Sequence, residues 1–262
     1  MEEEELVKEI EEACSKEEAK SFKKISKMVN PKIESYFTRL EEYVEILRKS
    51  KKVNSLFVVS PPGYGKTTYL LYFLMKAGLK PIQDFVLINT HSSPLSLYAK
   101  MYDNKSKILV FDDMPRLFRD ELSKNIFLSA LWSPTDTRVV NWNSIITAGA
   151  MGLPKKFTFE GKCIVLLNKI PNEMDAIKSR CFNYSMLFAR KDMIDLMREI
   201  SVINKINPEV VNFIETNTDV SHELSLRTLT KLNEIYKTTP KWKEIGMEQL
   251  EVNEEIKIIL KL

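Results

Sequence analysis

The chain has 262 residues, 44% of them hydrophobic and 29% charged, and its net charge is only +3. That is enough for one large domain or two smaller ones with a sizeable core, and it excludes global disorder. So even a balance of charge does not by itself call for nucleic acid or a membrane surface. No apolar run reaches the ~20 residues of a spanning helix and no signal peptide is visible, so a cytoplasmic protein is expected. Cys14, Cys163 and Cys181 are widely spaced and odd in number. They read as reduced intracellular thiols, not as a disulfide framework or zinc site. His91 and His222 stand alone and make no metal site.

Residues 1–20 are acidic and residues 21–52 are basic. Both stretches have helical periodicity, with Leu6, Ile10 and Ala13 on one face and Phe37, Leu40, Val44 and Leu47 on another. Pro31 divides them into two helices. This arm reads either as a surface for a partner or DNA, or as a solvated helix pair packed on the next domain. The general preference of charged faces for water favours the second. Tyr36 or Phe37 is also a candidate to lie against an adenine ring.

From Asn54 the pattern alternates strand and helix, which predicts an α/β fold with a mostly parallel five-stranded sheet. The stretch SLFVVSPPGYGKTTYLL organises it. Leu56–Val59 is a buried strand, a Pro/Gly turn follows, and a helix opens at Lys66 and runs to about Ala77. This is the setting of a phosphate-binding loop, in which N–H groups at a helix N-terminus face an anion. Ser60, Pro61, Pro62, Gly63, Tyr64, Gly65, Lys66, Thr67 and Thr68 form the candidate loop. Lys66 would reach the β- and γ-phosphates and Thr67 would hold Mg²⁺. Ser60 stands where the usual pattern has its first glycine.

Strand two is predicted at Phe85–Asn89, a helix at Leu95–Met101, and strand three at Ile108–Asp112 in the run KILVFDDM. An apolar strand ending in acids brings carboxylates to the sheet edge that carries the phosphate loop. Asp112 would hold Mg²⁺ through water and Asp113 would orient the attacking water. A helix is expected over Arg116–Trp132, then β-segments at Arg138–Trp142 and Phe157–Phe159 around a loop with Gly149 and Gly152. Strand four is Cys163–Leu167, ending in Asn168, and strand five is Tyr184–Phe188. Beyond Arg190 the pattern is helical: Met193–Val202, Pro208–Glu215 and Leu226–Tyr236. The expected organisation is an N-terminal helical arm (1–52), an α/β core (53–190), a helical lid (191–239) and a tail (240–262). That tail carries Trp242 and ends in IKIILKL, read as a strand or a docking peptide.

This assembly resembles the AAA+ ATPase superfamily over roughly residues 50–237. SPPGYGKTT resembles Walker A, VFDDM Walker B, LLNKIP the sensor 1 strand, AIKSR the segment of the arginine finger, and SLRTL the sensor 2 helix. The resemblance implies that Asn168 lies on a strand between the loop strand and the Walker B strand and helps place water. It implies that Asn89 or Thr90 is a switch residue and that Arg227 reaches the nucleotide of its own subunit. It also implies that Arg180 points into a neighbouring subunit's site, with Arg190, Arg138 and Arg119 as rivals. ATP or ADP and Mg²⁺ are the implied ligands, and a homo-oligomer, ring or helical and a hexamer among the options, is the implied assembly. The Asp-Asp pair resembles the replication-initiator and helicase-loader branch. The paired β-segments resemble a ring-helicase hairpin, which would put Lys155 and Lys156 at DNA.

The expected function is therefore a Mg²⁺-dependent ATPase acting on DNA or a DNA-replication complex, as initiator, helicase loader or small motor. Two alternatives remain open. One is a protein remodeller, although HSSPLSLY after strand two lacks an aromatic-hydrophobic pore loop. The other is a nucleotide-gated scaffold with little turnover.

Overall fold

The computed structural model describes residues 30–89, 93–114, 118, 120–133, 135, 137–142, 152–169, 178–219 and 222–250. By internal contacts the chain forms two compact units, which share the described helix α1 (Pro31–Lys49). One unit contains residues 38–61 and 66–186; the other contains residues 30–37, 62–65 and 187–250.

The first unit is built on β1 (Ser55–Val59), β2 (Phe85–Ile88), β3 (Ile108–Asp112), β6 (Lys162–Leu167) and β7 (Phe182–Ser185). They form one sheet in the order β2-β3-β6-β1-β7, with every neighbour parallel. Strands covered on both faces need near-continuous apolar runs, and LFVV, FVLI, ILVF and CIVLL are such runs. Helix α2 (Lys66–Lys76) follows β1, α3 (Pro94–Asp103) follows β2, and α4 (Glu121–Leu131) follows β3. One face of the sheet holds Phe57, Phe111, Val165, Leu97, Tyr98 and Phe127 in a single apolar cluster. Truncating Phe111, which is fully buried there, is expected to cost about 3–5 kcal/mol. Chemical denaturation of Phe111→Ala checks this.

The antiparallel pair β4 (Val139–Asn141) and β5 (Lys156–Thr158) faces the same cluster with Val140 and Phe157. Helix α1 buries Leu40, Val44 and Leu47 fully, as its periodicity predicts, and stacks Tyr43 on Tyr184 at 5.3 Å.

Several boundaries differ from the sequence reading, three of them for a visible physical reason. Strand β7 runs over Phe182–Ser185 rather than Tyr184–Phe188. Its partner β1 ends at Val59, and the Met186 N–H donates the last ladder bond to Val59 O. Leu187 beyond it is 55% exposed. Helix α4 opens at Glu121, where Asp120 caps it by accepting from the Ser123 N–H at 2.7 Å, and Arg116, the expected start, lies outside the described residues. Residues 242–250, read as tail, are helical, and Trp242 packs on Phe213 and Tyr236 at 5.0 and 5.1 Å. The first predicted arm helix and the IKIILKL segment lie outside the described residues.

The second unit contains α5 (Arg190–Ile203), α6 (Pro208–Thr216), α7 (Leu226–Thr238) and the 242–250 helix. Arg190 ties its loops together, donating to the carbonyls of Glu215, Thr218 and Asp219. Among the described residues, no helix is long and apolar enough to cross a membrane.

Cys163 is fully buried and Cys181 partly so, where it accepts from the Ser55 hydroxyl. Burial pushes both thiols up, that of Cys181 to about 11. A raised pKa leaves the unreactive thiol form dominant at neutral pH. In a Cys14→Ser background, native protein at pH 8 is therefore expected to resist a disulfide-exchange reagent that labels both thiols once the chain is unfolded.

Candidate functional site

At the C-terminal edge of the sheet, β1 gives way to the loop that the sequence singles out. Ser60 is fully buried and adds one more ladder bond, its N–H donating to Leu167 O at 3.0 Å. Pro61 and Pro62 have no N–H to offer. The chain then passes through Gly63 (φ +75°) and Gly65 (φ +79°) before α2 begins at Lys66. The N–H groups of that first turn, including those of Thr67 and Thr68, have no carbonyl four residues back inside the helix.

Strands β1, β6 and β3 are immediate neighbours, so their ends bring together side chains from three distant stretches of sequence. Lys66 is only 6% exposed, and its Nζ donates to Asn168 Oδ1 at 2.7 Å and to Ser60 O at 3.3 Å. Asn168 Nδ2 donates in turn to Asp113 Oδ1 at 2.9 Å. An amide suits this position because an ammonium only donates and a carboxylate only accepts. Asp113 sits at φ +49°, the left-handed region, which costs a residue with a Cβ about 1–2 kcal/mol. Its N–H donates to Leu166 O at 3.2 Å, which helps to hold it there. Thr67 Oγ1 donates to Asp112 Oδ2 at 2.9 Å. A hydroxyl and a carboxylate side by side are the oxygen donors that a hard divalent cation takes, with phosphate and water filling its other positions.

In the second unit, the tip of the same loop meets the start of α7. Gly63 O accepts the Leu226 N–H at 2.9 Å, and Ser225 caps the helix by accepting from the Thr228 N–H. A Cβ on Gly63 would lie 2.7 Å from Ser225 Cβ and 3.3 Å from Arg227 Cγ. Glycine is thus required twice, for its φ and for this close approach. Tyr64 stacks on Phe188 at 4.9 Å with the rings 15° apart. Tyr36 and Phe37 also set their rings against Phe188, and Phe37 is buried. Gly63→Ala is expected to lower stability by about 1–2 kcal/mol, because a Cβ is strained at this φ and meets Ser225. Chemical denaturation measures it.

The candidate arginines separate by environment. Arg138 is buried, donates to Ala130 O at 2.8 Å and lies over the Phe159 ring. Arg190 is taken up by the carbonyls named above. Arg180 is half-buried, its guanidinium 5.4 Å above the ring of Trp132, which is 45% exposed. Arg227 is exposed on α7. Asn89 is exposed just past β2, and Lys155 and Lys156 are exposed at the hairpin. Thr90 and Arg119 lie outside the described residues. The Trp132–Arg180 and Gly63–Ser225 contacts escaped sequence reading, because no short-range pattern marks either pairing.

The sheet order, the loop between β1 and α2, and the acids ending β3 define a P-loop α/β fold. No family model matches this chain, and no curated protein matches it in sequence. Solved structures do. The Thermotoga maritima RuvB Holliday junction branch migration motor aligns with a TM-score of 0.51 at 12% identity, over 83% of this chain and 69% of that one. A single-residue variant of Thermotoga maritima RuvB gives 0.53 at 12% identity, over 85% and 72%. AMPPCP-bound DnaA from Aquifex aeolicus gives 0.48 at 16% identity, over 85% and 67%. The chain has the fold of the AAA+ P-loop ATPases.

Proposed function

We propose that this chain is a Mg²⁺-dependent ATPase that works as a homo-oligomer on DNA or on a DNA-replication complex. The observation that carries the reading is the chain of contacts Lys66–Asn168–Asp113 beside the Thr67–Asp112 pair, at the edge where α2 begins. Phosphoryl transfer asks for placement and charge stabilisation more than covalent help. Lys66 holds the β- and γ-phosphates, and the loop N–H groups of Gly63 to Thr68 share that charge. Thr67 and Asp112 would hold Mg²⁺, which would supply further neutralisation of the phosphates. Asp113 takes the proton side of the attacking water, and Asn168 fixes that carboxylate in place. Arg227 reaches the nucleotide of its own subunit, and Arg180 completes the site of a neighbour.

DNA as the substrate is supported by the likeness of fold to RuvB, which is described as a Holliday junction branch migration motor. The decisive experiment is steady-state ATP hydrolysis with and without Mg²⁺, with single- or double-stranded DNA, across a range of protein concentrations. A specific rate that climbs with concentration and rises further with DNA is expected. A rate indifferent to DNA moves the reading to a protein substrate, and bound nucleotide without turnover moves it to a gated scaffold. In the same assay Asn168→Ala is expected to lower kcat about 10²-fold while nucleotide still binds.

A further inference from the structure

The opposite edge of the same sheet carries a row of lysines that the nucleotide reaction does not use. Lys51 and Lys52 precede β1, Lys105 and Lys107 precede β3, and Lys162 opens β6. Because β3, β6 and β1 are adjacent, these positions span two strand spacings, about 10 Å. The strands are about five residues long, so the row stands about 17 Å from the phosphate loop.

This edge is rigidly built. The N–H groups of Glu160 and Gly161 donate to Lys105 O at 2.8 and 2.7 Å, and the Lys162 N–H donates to Lys107 O at 3.1 Å. Gly161 permits that approach, since a Cβ there would lie 2.2 Å from Lys107 O. Lys162 Nζ is half-buried and donates to Ser50 O at 2.6 Å, Asn54 Oδ1 at 2.7 Å and Val53 O at 3.4 Å. All three acceptors are neutral, so its charge is not cancelled. Burial, and then the Arg138 guanidinium, pull its pKa below the usual lysine range. Lys105 lies over the Tyr102 ring at 4.9 Å. Among the described residues Lys51, Lys105, Lys107 and Lys162 make no ion pair. The acids at this edge are Glu160, Asp103 and, toward β2, Asp84, whose carboxylate accepts the Lys80 N–H. No large apolar side chain is exposed on the lysine-bearing loops, whereas a protein interface has an apolar centre.

From this row we infer that the N-terminal edge of the sheet is a nucleic-acid surface that binds the phosphodiester backbone without reading sequence. It gives the proposed action on DNA a second contact face, and it rests on that reading for the choice of polymer. Ammonium groups that contact phosphates displace condensed counterions, so the binding is steeply salt-dependent.

The test is fluorescence anisotropy of the full chain with labelled oligo-dT and with a DNA duplex, titrated across salt. The comparison is the triple variant Lys51→Gln, Lys105→Gln and Lys107→Gln. Its dissociation constant is expected to rise about tenfold or more and its log–log salt slope to fall by about 2–3. ATP hydrolysis without DNA is expected to stay unchanged. Glu160→Lys, a change at an exposed side chain, is expected to tighten binding and steepen the slope by about one. Which polymer responds more separates single-stranded from duplex binding. The inference is overturned if wild type does not bind, if either variant leaves affinity and slope unaltered, or if poly-glutamate competes as well as oligo-dT. A chain that binds in this way but hydrolyses no ATP would overturn the proposed function and leave this surface standing.

Discussion

Lys66→Ala is expected to lose ATP turnover by at least ~10²–10³-fold, the scale of removing one preorganised charge stabiliser, and to weaken nucleotide binding as well. Lys66 is nearly buried, and its ammonium is held by Asn168 and the Ser60 carbonyl. Removing it takes away the positive charge nearest the loop and also leaves the Asn168 carbonyl oxygen without its partner. Initial rates at saturating ATP, together with a nucleotide titration, separate the two losses. Melting in the absence of nucleotide shows whether the fold is intact. A folded Lys66→Ala protein with full turnover would sink the ATPase reading altogether.

Arg180→Ala is expected to bind nucleotide normally and to hydrolyse it about 10³–10⁵-fold more slowly, the range for an arginine supplied in trans. Two of its described rivals are engaged inside the protein. Arg138 is buried against Ala130 O and Phe159, and Arg190 is bonded to the Glu215 and Thr218 carbonyls. The guanidinium of Arg180 lies over an indole that is itself well exposed. Mixing Arg180→Ala with Asp113→Ala is the sharper measurement. Each variant then supplies what the other lacks, so mixed assemblies should regain part of the activity if the arginine acts across an interface. No recovery from two folded, co-assembling variants would count against Arg180.

How far the sequence reaches is clearest in β3. Ile108–Asp112 appears as predicted, because a run of apolar residues ending in acids has few other placements in a parallel sheet. The phosphate loop is equally legible, since Pro-Pro, two glycines and Lys-Thr are a local code for turn and helix start. By contrast, β7 ends where β1 stops offering partners, a fact that lies 126 residues away in sequence, from Val59 to Ser185. The 242–250 helix was hidden because its register depends on Trp242 finding Phe213 and Tyr236.

Residue types and local spacing singled out Lys66, Thr67, Asp112 and Asp113, and the family resemblance added Asn168. Only tertiary structure decided that Asn168 joins Lys66 to Asp113, that Trp132 lies under Arg180, that Gly63 must fit against Ser225, and that lysines from three strand starts form one row. Each of these depends on strand order and register, and those are set by the summed burial of many distant residues rather than by any short stretch of chain.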